Sequence, residues 1–305
     1  MSGGGNTREL RFTHFGAAGW SITDGETVVL LDPYLSRVRF QGRRYGPHDA
    51  TEIPDDPRPV IKIDEPAGSD AATIDRHVPK ADYILLSHSH FNHAMDVPYI
   101  ANKTGAVVIG TESTCNIAIN GGVPDAQIHA VRGGEDYDYK TFSIRVIPSL
   151  HSALSCKLYK DFGTVPLKDG DTPLRLDEYV EGGTLAYLLR MGGREILLFG
   201  SMNYIEREVE GLRPDVVFVA SAPPRLDIHD YTGRLMRCLG RPPLVVATHW
   251  DDQGLPFGAP QDKALAQTPA FVAEVKAASP ETEVFVPPHF QTLVLDARGA
   301  MRVAE

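Results

Sequence analysis

A short apolar run, Tyr83-Ile-Leu-Leu86, opens directly onto Ser-His88-Ser-His90-Phe-Asn92-His93, placing three histidines within six residues. An apolar run of this length, bounded by polar residues, reads as a buried strand. A polar triplet at the end of such a strand needs a reason. On extended backbone, residues two apart project to the same side, so His88 and His90 can grip one ion. His93 lies three further on, where the chain is expected to turn into a helix, and so faces a neighbouring point. A chance group of solvated histidines is the plain alternative.

Two more histidines sit where apolar runs end. His151 follows Ile147-Pro148-Ser149-Leu150, and His249 follows Val245-Val246-Ala247-Thr248. Sites in α/β folds gather at the carboxyl ends of strands. Alone, each of these would read as a structural histidine. With the cluster they make a set of five imidazoles suited to holding a metal.

The rest of the chain supplies a frame for that set. Residues 10–32 read as a β-meander, with Asp24-Gly25 as a turn signal. From residue 83, strands alternate with helices: strands at 83–86, 106–109, 127–131 and 141–147, helices at 97–103 and 113–119, the second closed by Gly121-Gly122. A hairpin is expected over 184–199, then a helix over 204–212. Strands follow at 216–220 and 244–247, a helix at 269–278, and strands at 283–286 and 292–296. Residues 36–80 and 152–180 lack periodicity and read as surface insertions, and loops that long are usually functional or disordered. The pattern suits an α/β fold, two packed sheets with helices outside, as one domain over residues 1–305.

His-x-His-x-x-His after an apolar strand, with later strand-end histidines, resembles the metallo-β-lactamase superfamily. Gly16-Ala-Ala-Gly19-Trp and Leu31-Asp32-Pro33-Tyr34 further resemble its ascorbate-6-phosphate-lactonase-like hydrolases. The resemblance spans about residues 9–297 and implies an αββα sandwich. It also implies that His88, His90 and His151 ligate a first metal, zinc or another divalent ion, and that His93 and His249 belong to a second. Asp32 matches an aspartate that orients the ligand loop; a strand-end cap before Pro33 is the plain alternative.

Two departures matter. The family has aspartate just before the third histidine, where this chain has Asn92. It also has a metal-bridging aspartate, and the best match, Phe199-Gly200-Ser201-Met202-Asn203, puts Ser201 there. Two divalent ions bring four positive charges, and neutral Asn and Ser offset none of them. Three histidines with an open position still make a complete catalytic zinc site. The expectation is therefore one tightly held metal with a weak or empty second site. His93, His249 and Asp32 then belong to the catalytic machinery, the two histidines as general acid or base. The competing expectation is that Asp251 or Asp252 serves as a substitute ligand.

Composition bounds the partners. At net charge -10, nucleic acid and anionic membrane surfaces are disfavoured, and an RNA-processing nuclease with them. A small-molecule substrate remains: an ester, lactone or phosphoester for a hydrolase. Arg37, Arg39, Arg43 and Arg44 form the one local basic run, read either as a solvated loop or as a pocket wall for an anionic substrate. Cys115, Cys156 and Cys238 show no metal-site spacing and read as reduced thiols. No apolar run approaches the roughly 20 residues that cross a bilayer, and the opening residues do not read as a signal peptide, so a cytoplasmic setting is expected. A homo-oligomer is left open. A non-hydrolytic ligand binder on the same scaffold is the alternative function.

Overall fold

The computed structural model describes residues 7–42, 56–153, 163–168 and 173–304. Its core is two sheets pressed face to face. The first has eight strands, running Met301–Val303, Thr292–Leu295, Leu10–Gly16, Gly19–Thr23, Val28–Leu31, Tyr83–Leu85, Val107–Gly110 and Ile128–Ala130 across the sheet. The second has seven: Glu283–Phe285, Leu244–Thr248, Val216–Ala220, Arg194–Phe199, Leu185–Met191, Phe142–Pro148 and Asp136–Asp138.

Strand periodicity sorts the apolar side chains. Val29 and Leu31 face the space between the sheets, with Phe12, Trp20, Leu189, Leu198, Phe218 and Val246, while Leu30 between them points outward. Leu30, Ile84 and Val108 are covered by the helices Ala71–His77, Val97–Thr104 and Glu112–Asn120. On the other side, Val217, Val219, Val245 and Ala247 lie beneath the helices Tyr231–Cys238 and Thr268–Ala278. Strands buried on both faces read as continuous apolar runs, and Val216–Ala220 and Leu244–Thr248 bury every residue. The layers are therefore helix, sheet, sheet, helix, as expected.

Strand direction decides where the chemistry gathers. Val28–Leu31 and Tyr83–Leu85 are parallel, as are Arg194–Phe199, Val216–Ala220 and Leu244–Thr248. Phe142–Pro148 is antiparallel to Leu185–Met191, itself antiparallel to Arg194–Phe199, so it runs with the parallel set. Asp32, Ser87, His151, Ser201 and His249 all follow the carboxyl ends of these strands. Two buried bonds tie the sheets together there: the Trp20 indole Nε1–H donates to Thr248 Oγ1 at 2.8 Å, and the Tyr187 hydroxyl donates to the Leu86 carbonyl at 2.7 Å.

Several expectations need correction. The helix expected over 204–212 is only Glu206–Val209, cut short before Gly211 and Pro214. Tyr231–Cys238 is a helix that was not anticipated, although Tyr231, Leu235 and Met236 repeat at helical spacing and are buried. The stretch 36–80 is not merely surface: Val38, Ala67, Ile74 and Val78 join the outer core, and so do Val165, Leu174, Leu176 and Tyr179 from 152–180. Such scattered apolar residues carry no periodicity for a sequence reading to catch. Cys115 and Cys238 are free, as expected; Arg43, Arg44 and Cys156 lie outside the described residues.

Candidate metal centre

The histidine segments are pinned before they are aimed. The Ser87 carbonyl accepts the Leu185 N–H at 2.7 Å, and the Ser89 N–H donates to the Glu181 carbonyl at 3.0 Å. This holds His88 and His90 on extended chain. His90 is also the N-cap of the helix Phe91–Ala94, which carries His93. At the opposite sheet, the Ser149 N–H donates to the Thr184 carbonyl at 2.9 Å. Beside it, the Ser152 N–H donates to Ser201 Oγ at 2.9 Å.

Hydrogen bonding sets which nitrogen each ring presents. The Ser87 hydroxyl donates to Asp32 Oδ2 at 2.5 Å, so toward His88 Nδ1, 3.1 Å away, it acts as acceptor. His88 Nδ1 therefore carries the proton and Nε2 the lone pair. His93 Nδ1–H donates to Asp32 Oδ2 at 3.0 Å, with the same result. His151 Nδ1–H donates to the Ser152 carbonyl at 3.0 Å, freeing its Nε2 as well. Both His88 Nε2 and His93 Nε2 are buried with no hydrogen-bond partner. A buried nitrogen left without a partner is costly, and a cation is the partner these lone pairs fit. His88, His90 and His151 bring one ligand atom each within 4.8 Å of one another, so the residues present suit a metal ion.

Electrostatics agree with that tautomer pattern. Burial first, then the neighbouring imidazoles, hold His88, His93 and His151 well below the usual histidine range. Burial and His93 lower His249 to about 4. All four are therefore neutral at pH 7, the form that ligates metal. Asp32 is fully buried, and desolvation raises it to about 7 against the two bonds from Ser87. Asp32 is more than a strand cap, because one carboxylate orients both His88, through Ser87, and His93. Gly200 packs against this carboxylate, and a Cβ there would collide with Ser87 Oγ and Asp32 Oδ2.

His93 and His249 stand beside the triad as a second group. The His93 ring lies 3.8 Å from that of His88 and 5.3 Å from that of His249, centroid to centroid. The polar side chains around them are directed elsewhere. The Asn92 amide donates to Gln253 Oε1 at 2.7 Å, and Ser201 Oγ holds the Ser152 N–H. Asp251, the expected substitute ligand, is bonded to other groups in this structure. It accepts the Ala17 N–H at 2.8 Å, Arg37 NH1 at 2.7 Å and His289 Nε2 at 2.8 Å. Asp252 Oδ1 accepts the Gly254 N–H at 3.0 Å.

The arginine run also needs correcting. Arg37 is no pocket wall: it is 1% exposed, and its guanidinium faces inward onto Asp251, the Leu255 and Asp252 carbonyls and the Phe257 ring. Arg39 lies 3.9 Å from Asp56. Sequence reasoning missed Ser87, Gln253 and His289. Ser87 is legible only as the residue before His88, and nothing in the sequence around His289 marks it as the partner of Asp251.

Comparison with known proteins places this geometry in a family. The beta-lactamase superfamily domain matches residues 11–232. A metal-dependent hydrolase from Carboxydothermus hydrogenoformans is 31% identical over 116 residues, 38% of this chain and 42% of that protein. One from Heliobacterium modesticaldum is 26% identical over 202 residues, 66% of this chain and 63% of that protein. The chain thus spans about half the length of the curated relatives it matches. Among solved structures, a metallo hydrolase from Ignicoccus hospitalis superposes with TM-score 0.57 at 16% identity, covering 94% of this chain and 99% of that one. An isothiocyanate hydrolase from Delia radicum gut bacteria gives 0.59 at 14%, covering 92% and 98%. A diiron β-hydroxylase from Streptomyces venezuelae gives 0.55 at 16%, covering 95% and 54%. At these identities the structural likeness speaks for the fold alone. With the family domain matching well over half its length and the sandwich fold shared with these metalloproteins, the chain belongs to the metallo-β-lactamase superfamily.

Proposed function

We propose that the chain is a metal-dependent hydrolase in which His88, His90 and His151 hold one tightly bound divalent ion, with the second position weak or empty. The observation that carries this is the convergence of three histidine ligand atoms within 4.8 Å. Imidazole nitrogen donors in a threefold set with an open position favour zinc. An ion held there would supply a Lewis acid to polarise a carbonyl or phosphoryl oxygen and would lower the pKa of water from about 15.7 to about 7. The chain's own residues do the rest. His93 and His249 accept and return a proton at Nε2 or its equivalent, while Asp32 keeps His93 Nδ1 protonated and Ser87 in place.

The substrate class we favour is a small ester, lactone or phosphoester, processed in the cytoplasm by one domain. The hydrolase descriptions of the relatives support the reaction type, and the fold does not choose among substrates. With Arg37 turned inward, the case for an anionic substrate has lost its first member. A non-hydrolytic binder is the second reading, favoured by the engagement of Asn92 and Ser201 in hydrogen bonds within the protein. A panel of generic esters, lactones and phosphodiesters separates the two. Turnover that disappears on chelation and in His88→Ala supports the hydrolase. A protein that keeps its metal and turns over nothing supports the binder.

A further inference from the structure

Behind His249 lies a buried polar assembly in which the metal ligands take no direct part. His249 adopts φ +51, a left-handed backbone conformation that residues with a side chain rarely take. Something must hold it there. Its N–H donates to the Ala17 carbonyl at 2.8 Å, and Ala17, itself at φ +46, donates its own N–H to Asp251 Oδ1 at 2.8 Å. One residue, Ala17, thus links Asp251 to His249 through its backbone N–H and C=O. Asp251 Oδ2 in turn receives Arg37 NH1 at 2.7 Å.

The arginine does more than neutralise. Arg37 Nε donates to the Leu255 carbonyl at 2.6 Å and NH2 to the Asp252 carbonyl at 2.5 Å, so one rigid fork grips the loop at residues 251, 252 and 255. Lysine, a single ammonium, cannot place three donors in that plane. The turn is shaped to admit the fork: at Gly16, φ +92, an added Cβ would lie 2.6 Å from Arg37 NH1. The assembly ends on His249, whereas the triad segments are pinned from elsewhere by Glu181, Thr184 and Ser201.

We propose that Arg37 and Asp251 are positioning residues that set the His249 imidazole against His93, acting through the backbone of Ala17. The catalytic consequence rests on the reading of His249 as a proton-handling residue; the positioning itself does not. Arg37→Met removes the fork, and Arg37→Lys and Asp251→Asn stand in should the first variant fail to fold. Histidine-ring ¹⁵N–¹H spectra of the metal-free protein are expected to show the His249 signals displaced while those of His88 and His151 stay in place. On a substrate from the panel, kcat/KM is expected to fall about ten- to hundredfold with an altered pH profile. In a His249→Ala background the same Arg37 change costs less than about twofold more, because coupled residues are not additive. Unmoved His249 signals, or an equal loss in both backgrounds, would overturn the proposal and leave Arg37 and Asp251 as a stability pair. Absence of turnover across the panel would sink the hydrolase reading alone, since the spectra still judge the positioning.

Discussion

The triad His88, His90 and His151 and the pair His93 and His249 occupy the same edge of the sandwich, yet they are equipped very differently. The triad brings three ligand atoms within 4.8 Å of one another. The pair brings two imidazoles with centroids 5.3 Å apart, and the nearby polar groups are already bonded: Asn92 to Gln253, Ser201 to Ser152, Asp251 to Arg37. The difference teaches that ligand type is not enough. A metal position needs enough ligand atoms converging on one point, plus negative charge in proportion to the ions it holds.

The most severe way to break the comparison is to remove one side of it. His88→Ala is expected to abolish metal retention and to reduce hydrolysis at least about a thousandfold, while His249→Ala keeps the metal; metal analysis after gel filtration, alongside rates, reads both. Next in size is Asp32→Asn. Loss of this carboxylate frees His93 Nδ1 and the Ser87 hydroxyl together, and orienting partners of this kind typically contribute 10–100-fold in metal affinity. Competition with a chelator of known affinity measures it, and an unchanged affinity would show that Asp32 does not set the triad. The pair can instead be completed. Asn92→Asp with Ser201→Asp adds two carboxylates and is expected to raise metal content by up to one further equivalent per chain.

The smallest effect expected is on acid stability of the metal-free protein. His14 and His249 are lowered to about 4, by burial first, and His88, His93 and His151 well below the usual range. A folded-state pKa below the unfolded value of about 6.5 means the unfolded chain binds more protons as pH falls. Their contribution is complete above pH 6.5 and is lost progressively as pH drops toward 4. Asp32, raised to about 7, and Asp96, also raised by burial, oppose this, but they are two groups against five. Denaturant titrations of metal-free protein at pH 7 and pH 5 are expected to differ by a few kcal/mol, lower at pH 5. Equal stabilities would contradict neutral buried imidazoles.

How much of this could be read from the chain depends on whether the signal was local. The apolar runs and the strand-end histidines declared both the sheets and the edge where the histidines gather, because strand burial and residue type are written in adjacent residues. Asn92 and Ser201 also stood out as departures. The hydrogen bonds that engage them could not be foreseen, since Gln253 lies 161 positions from Asn92 and Ser152 lies 49 from Ser201. Arg37 was misjudged for the same reason. A basic run looks solvated until the fold delivers Asp251, from 214 positions away, to its guanidinium. The short helix at Glu206–Val209 failed differently, because a stop signal at Gly211 outweighed the apolar pattern.

The central claim is one well-formed metal position beside a depleted one. Element analysis of the purified protein, equilibrated with excess zinc and then desalted, tests it most directly. The account predicts close to one zinc per chain, falling to none in His88→Ala. A value near two in the unaltered protein would contradict it.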